Sequence, residues 1–166
     1  SFSEPVDEDS PVAVLDDPSS EDIPAGYGAL KALCEQAVER SFPGRALHVR
    51  AGLIVGPHDP TGRFTYWPHR VARSGALLVP APLDRPVQLV DVRDLASWVV
   101  SGAEDRRAGR YNATGDTTLR AVIDASVAIT GADVEIVEVD PRFLVEHEVG
   151  EWMELPLWID EREVDH

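Results

Sequence analysis

From Tyr27 onward the spacing of apolar residues switches back and forth between a helical and a strand period. A chain patterned this way can bury itself only by layering helices on a sheet. Ala29, Leu30, Leu33, Cys34, Ala37 and Val38 recur at intervals of three and four, which predicts a helix from Tyr27 to about Phe42 that Pro43-Gly44 stops. Leu47, Val49 and the run Leu53-Ile54-Val55 read as a short buried strand and its exit, ending at Gly56-Pro57. A turn-rich loop from His58 to Phe64 leads into a second helix over Tyr66 to Ser74. Leu77-Leu78-Val79 and Val87-Gln88-Leu89-Val90 are predicted strands on either side of a connection carrying Pro80, Pro82 and Pro86. Asp94 stands where an N-cap or first-turn acid precedes a helix, Leu95 to Ala103. Tyr111-Asn112-Ala113 is a brief strand, and Gly115 to Thr118 leads into a helix from Leu119 to Ile129 that Gly131 closes. Val134 to Val139 alternates apolar with acidic residues as a half-exposed strand does, and Asp140-Pro141 opens a last helix. The fold class is α/β.

The 166 residues suffice for one domain with a real core. A formal net charge of −15 argues against nucleic acid, whose phosphates need clustered Lys and Arg, and equally against an anionic membrane surface. The opening residues are polar and acidic and are read as neither a signal peptide nor a membrane span. The single cysteine, Cys34, can form no internal disulfide and sits in an apolar helical pattern, so a buried structural thiol and a cytoplasmic protein are expected. His48, His58, His69, His147 and His166 show no paired zinc spacing, and no metal is expected. Nowhere does a G-x-x-G-x-x-G or G-x-G-x-x-G turn join a strand to a helix, so the sequence contains no phosphate cradle of its own.

One spacing points to chemistry. Tyr27-Gly28-Ala29-Leu30-Lys31 puts a phenol and an ammonium four residues apart, on one face of a helix. A free phenol titrates near ~10, too high for useful proton transfer at neutral pH. An ammonium beside a phenol favours the phenolate, and such a pair can exchange a proton with a carbinol oxygen. The bland alternative is a solvated helix face, because Y-x-x-x-K also arises by chance.

Four ordered segments lift the motif above chance. They are Tyr27 to Lys31; Val49-Arg50-Ala51-Gly52-Leu53-Ile54-Val55-Gly56-Pro57 with the loop Asp59-Pro60-Thr61-Gly62-Arg63-Phe64; Val90-Asp91-Val92-Arg93-Asp94-Leu95-Ala96; and Tyr111-Asn112-Ala113-Thr114-Gly115. Together they resemble the extended short-chain dehydrogenases/reductases, the NAD-dependent epimerase/dehydratase group, over about residues 27 to 130. The resemblance implies a partial Rossmann-like, NAD(P)-binding fold: the carboxy-terminal half with its substrate-binding region, the glycine-rich amino-terminal half being absent. Residues 1–25 are then an irregular acidic segment, 26–150 the family-like part and 151–166 an acidic tail.

Carried over by position, the resemblance implies Tyr27 as general acid/base, with Lys31 as its electrostatic partner and a ligand of the cofactor ribose. The backbone at Ala51, Gly52 and Leu53 would lie against the nicotinamide of NAD or NADP, and Arg63 and Trp67 would meet the substrate. The family's Ser or Thr that holds the substrate oxygen is expected upstream, with Ser1 and Ser3 as weak candidates. Two positions depart from the nucleotide-sugar epimerases: Leu53 stands where they commonly carry Asn, and Val87-Gln88 where they commonly carry Arg-Asp. Both changes remove polar contacts, which favours an oxidoreductase acting on a smaller carbonyl or alcohol. The alternatives are a nucleotide-sugar epimerase/dehydratase, or a non-catalytic binding module of the same shape. The expected partner is a small-molecule substrate, with no nucleic acid and no membrane. Homodimerisation is one way to cover the open edge that half a parallel sheet leaves. The segment from Trp152 to Trp158 is expected to pack in the core.

Overall fold

The computed structural model describes residues 7–159, so Ser1, Ser3 and residues 160–166 of the acidic tail lie outside the described residues. Two compact units interleave along the chain, residues 7–52 with 93–113 and residues 53–92 with 114–159.

The first unit is built on two parallel strands, β1 (Leu47–Ala51) and β5 (Gly109–Ala113), aligned Leu47 to Gly109 through Ala51 to Ala113. Side chains alternate across a strand, so β1 sends Leu47 and Val49 to one face and His48 and Arg50 to the other. Helix α1 (Ile23–Ser41) covers the His48/Arg50 face: Glu39 reaches His48 at 3.4 Å and Glu35 binds Arg50 through two contacts of 2.8 Å. Helix α3 (Val92–Glu104) covers the other face, where Gly102 comes so near Leu47 that a Cβ there would lie 2.9 Å from its Cδ2. Trp98 of α3 meets Tyr111 of β5 edge-on, the ring centroids 5.4 Å apart. Glu8 in the irregular amino-terminal segment accepts the Asn112 N–H at 2.8 Å, and its carbonyl accepts from Arg50 at 3.3 Å.

The second unit holds two small sheets. Strand β2 (Leu53–Val55) runs parallel to β4 (Pro86–Asp91), and β4 pairs antiparallel with β6 (Gly115–Thr118). Strands β3 (Gly75–Pro80) and β7 (Val134–Val139) are parallel, Leu77 opposite Ile136. Helices α2 (Tyr66–Ala72), α4 (Leu119–Thr130) and α5 (Pro141–Glu146) complete it. The strand period shows in β3, where Leu77 and Val79 are buried and Leu78 is exposed. These two join Trp67 and Val71 of α2 and Leu119 and Ile123 of α4 in one core, which Leu155 and Trp158 close from the carboxy-terminal side. Each such side chain contributes about 1.5–3 kcal/mol by leaving water. Local chemistry sets the helix ends. The Thr118 hydroxyl accepts the Ala121 N–H at the start of α4, left-handed Gly131 ends it at φ 65°, and Asp140 caps α5 ahead of Pro141.

Several expectations are corrected here. The apolar stretch from Leu47 to Val55 is two strands, not one; it breaks at Gly52, β1 pairing with β5 and β2 with β4. Its side chains are mainly half-buried rather than buried. Gly115 to Thr118 is a strand in its own right, held by pairing with β4 rather than by apolar side chains. Helix α1 starts four residues before Tyr27, at Ile23. Cys34 is exposed, not buried, because α1 buries the row of small residues Ala29 and Ala32 instead. Among the described residues no helix is long and apolar enough to cross a membrane, and no cluster of three His, Cys, Asp or Glu side chains could hold a metal ion.

Candidate active site

The Tyr-Lys pair sits just past a bend in α1. Gly26 leaves helical geometry at φ −128°, ψ 20°, and it is buried against Leu15, whose Cδ2 would lie 2.8 Å from any Cβ added there. Tyr27 follows at once and is 65% exposed, and Lys31 is exposed one turn on. Neither has a hydrogen-bond or ion-pair partner among the described residues, so phenol and ammonium are both free to take a ligand.

The next two members of the same four-residue row are not free. Glu35 lies four residues beyond Lys31 and binds Arg50 Nε and Nη2 at 2.8 Å each, with Arg110 Nε at 3.6 Å. Glu39, four further on, accepts the Gly44 N–H at 2.7 Å and meets His48. Tyr27, Lys31, Glu35 and Glu39 therefore form one row whose far half is tied to β1, which fixes the rotation of α1 about its axis and with it the direction of the near half. Sequence reasoning missed this tie. The only signal was an acid at each four-residue step beyond Lys31.

The Arg50 guanidinium holds the Glu35 carboxyl below the usual carboxylate range, against the opposing effect of burial. A depressed folded value adds stability that is present in full above the ordinary value of 4.5 and is lost as the pH falls through the lowered one. Glu35→Gln is therefore expected to be less stable than the native chain at neutral pH, with the gap closing in acid. Urea midpoints for both proteins at several pH values test this, and a gap that stays constant into acid would show that the charge contributes nothing.

Ala51, Gly52 and Leu53 form the link between β1 and β2. The Gly52 N–H donates to Ala113 at 3.3 Å, Ala51 is exposed, and Leu53 lies opposite Leu89 and packs against the core of the second unit.

Within the second unit, the loop before α2 is shaped by Asp59, whose Oδ1 accepts from the Thr61 N–H at 2.8 Å and the Thr61 hydroxyl at 2.6 Å. Those Thr61 bonds and, more weakly, the Arg63 charge hold the Asp59 carboxyl below its usual range. Left-handed Gly62, at φ 65°, then turns the chain so that Arg63 lies over the Trp152 ring, 5.6 Å from its centroid. Trp67 does not line a surface. It has no exposed area, and its indole N–H donates to the Pro156 carbonyl at 3.1 Å. Its part is to seat the terminal segment, in which Leu155, Leu157 and Trp158 are buried while Trp152 is half-exposed. Arg63 Nε, Thr114 Oγ1 and Trp158 Nε1 are buried and have no hydrogen-bond partner among the described residues. Each such atom costs roughly 1–3 kcal/mol.

No protein-family model matches the sequence, and no curated protein is significantly similar to it. Solved structures share its fold. They include dTDP-glucose 4,6-dehydratase from Bacillus anthracis in complex with NAD (17% identity, TM-score 0.59, 84% of this chain and 45% of that one). UDP-glucose 4-epimerase from Thermus thermophilus in complex with NAD matches at 21% identity and TM-score 0.53, over 80% of this chain and 51% of that one. A dTDP-4-dehydrorhamnose reductase from Bacillus anthracis in complex with NADP matches at 18% identity and TM-score 0.56, over 71% of this chain and 41% of that one. The fold is thus the Rossmann-like one of NAD(P)-binding epimerases, dehydratases and reductases. The chain spans about half or less of the length of these structures.

Proposed function

We infer that this chain supplies the carboxy-terminal part of an NAD(P)-dependent oxidoreductase of the extended short-chain dehydrogenase/reductase type, acting on a carbonyl or alcohol. The observation that carries this reading is the unpartnered Tyr27-Lys31 pair at the free end of a row anchored to β1 through Glu35 and Glu39. Tyr27 gives or takes the proton of the substrate oxygen, and Lys31 stabilises the phenolate electrostatically. The dinucleotide, when bound, supplies or accepts the hydride. Lys31 also donates to its ribose, and the Ala51–Leu53 backbone lies along its nicotinamide. Arg63 is the substrate residue of the second unit, and Trp67 supports the segment that faces it. The cytoplasm is the compartment this reading calls for.

A nucleotide-sugar epimerase or dehydratase is the second reading, favoured by the solved structures that share the fold. Against it stand the two departures. Leu53 and Val87 pack on the core and Gln88 bonds Asp116 at 3.3 Å, so these positions offer a sugar nucleotide little polar contact.

The test joins this chain to a dinucleotide-binding half and follows NAD(P)H consumption against a panel of aldehydes and ketones. Turnover by the joined protein and none by the 166-residue chain is the expected result, because the sequence of the chain contains no glycine-rich phosphate turn. Cofactor binding without hydride transfer to any carbonyl would overturn the proposal, as would turnover by the isolated chain.

A further inference from the structure

We propose that Leu15, in the irregular amino-terminal segment, is a positioning residue for Tyr27: packed into the notch at Gly26, it holds the bend of α1 that aims the phenol. The need for such a residue starts in the sequence, where Tyr27 stands between Gly26 and Gly28. A side chain leaves its backbone in a direction set by the peptide units on either side, and glycine constrains those units least. Nor does the ring fix itself. It is mostly exposed, and its hydroxyl bonds nothing among the described residues. The ties of Glu35 and Glu39 to β1 lie beyond Lys31, on the far side of Tyr27 from the bend.

The segment before α1 supplies what the glycines lack. Two self-contained turns frame it. Asp7 accepts from the Asp9 N–H at 3.1 Å and the Ser10 hydroxyl at 2.9 Å; Asp17 accepts from the Ser19 N–H at 2.9 Å and hydroxyl at 2.7 Å. Between them residues 11–16 make no hydrogen bond among the described residues, so side-chain packing is what joins this stretch to α1. Alternate residues divide: Val12 and Val14 are exposed, whereas Ala13 and half-buried Leu15 face the two glycines. A Cβ on Gly28 would have the Ala13 methyl 3.9 Å away, an ordinary contact. A Cβ on Gly26 would meet Leu15 Cδ2 at 2.8 Å, closer than two such carbons come. Leu15 thus occupies the space that a side chain on Gly26 would take, and Gly26 lies buried there in its non-helical conformation. Glu8, bound to Asn112 and Arg50, anchors the segment to the same two strands that carry α1, so Leu15 presses on the bend from a fixed support.

Placement matters because proton transfer falls off steeply with misalignment, and an error near ~1 Å costs about 10²-fold in rate. Leu15 touches no reacting group. Its effect passes through the backbone of Gly26 to the phenol, so truncating it changes how often the hydroxyl reaches the substrate oxygen and leaves ground-state binding alone.

The catalytic meaning of this contact rests on the function proposed above; the contact itself does not, and two measurements keep them apart. On the 166-residue chain labelled with nitrogen-15, Leu15→Ala should speed amide exchange at Gly26, Tyr27 and Gly28 on the order of tenfold, with Glu35 to Glu39 unchanged. In the chain joined to a dinucleotide-binding half, Leu15→Ala should lower kcat about 10- to 100-fold while KM and cofactor Kd stay within about twofold. Leu15→Met, which keeps the volume, should restore most of both. In a Tyr27→Phe background Leu15→Ala should cost nothing further, because an effect that passes through the phenol vanishes with it. Unchanged exchange at the bend, a native kcat in Leu15→Ala, or the same fold loss with and without the Tyr27 hydroxyl would each refute the positioning role. If the joined protein transfers no hydride, the proposed reaction fails and exchange alone decides: acceleration confined to the bend sustains Leu15 as the clamp on Tyr27, and any other pattern removes it.

Discussion

Tyr27→Phe is expected to lower kcat for NAD(P)-dependent carbonyl reduction about a thousandfold, with KM almost unchanged, when introduced into the chain joined to its dinucleotide-binding half. The size follows from what a positioned proton donor contributes, about 10²–10⁴ in rate. The selectivity for kcat follows from the structure. Tyr27 is 65% exposed and its hydroxyl bonds nothing among the described residues, so removing that oxygen leaves no buried group without a partner. Folding and cofactor affinity should both survive. Lys31→Ala provides the contrast: on the proposed reading it removes both the charge that stabilises the phenolate and a donor to the ribose, so it should reduce kcat and cofactor affinity together. Parallel measurement of kcat, KM and cofactor Kd for both variants checks the assignment. A Tyr27→Phe enzyme with kcat within a factor of about five of the native one would remove Tyr27 from the chemistry, since that is far below what general acid catalysis supplies.

Glu35 governs a different quantity in the same row. It touches no reacting group, yet its two bonds to Arg50 set the rotation of α1, and Arg50 is fifteen residues away in sequence. That pairing explains why the site was legible in outline only. Tyr27 and Lys31 belong to a local pattern, four residues on one helix, and local patterns can be read from a sequence. The anchoring of the row depends on β1 arriving under α1, which no spacing within the helix reveals.

The fold shows the same division. Val134 to Val139 was legible because Val134, Ile136, Val137 and Val139 are interspersed with Glu135 and Glu138, and the strand matches its expected bounds. The break at Gly52 was not, because Leu47, Val49 and Leu53 to Val55 carry apolar signal on both sides of it and pass for one strand; only its two partners, β5 and β4, distinguish the halves. Gly115 to Thr118 carries almost no apolar signal, and its order comes from backbone pairing with β4. Cys34 looked buried because a helical period shows which residues share a face but not how the helix rotates against its neighbours. Small residues, Ala29 and Ala32, turned out to be the buried row. Among the tryptophans one expected role was exchanged: Trp67, expected to meet the substrate, lies in the core, whereas the segment from Trp152 to Trp158 packs there as expected, with Leu155, Leu157 and Trp158 buried and Trp152 partly buried against them.

That exchange leads to the largest expected effect on stability. Trp67→Ala should destabilise the second unit by about 3–5 kcal/mol, the usual loss for truncating a fully buried large aromatic. Trp67 has 0% exposure and lies among Val71, Leu77, Leu119 and Ile123, so the cavity has packed walls on every side and little room to collapse. The Pro156 carbonyl also loses the indole N–H that it accepts at 3.1 Å. Against a typical total of about 5–15 kcal/mol, such a loss removes a third or more of the margin. A fall of roughly 10 °C in Tm should accompany it. Trp67→Phe separates the two contributions. It keeps an aromatic ring in the core but donates nothing to Pro156, so it should cost less than Trp67→Ala while still loosening residues 151–159. In that variant the Trp152 indole signal should broaden or move even though most of the core stays intact. Urea unfolding of both variants measures the energies, and the Trp152 signal measures the seating of the segment. If Trp67→Ala stays within about 1 kcal/mol of the native chain, the core described for the second unit is wrong, because no close-packed site can lose an indole that cheaply.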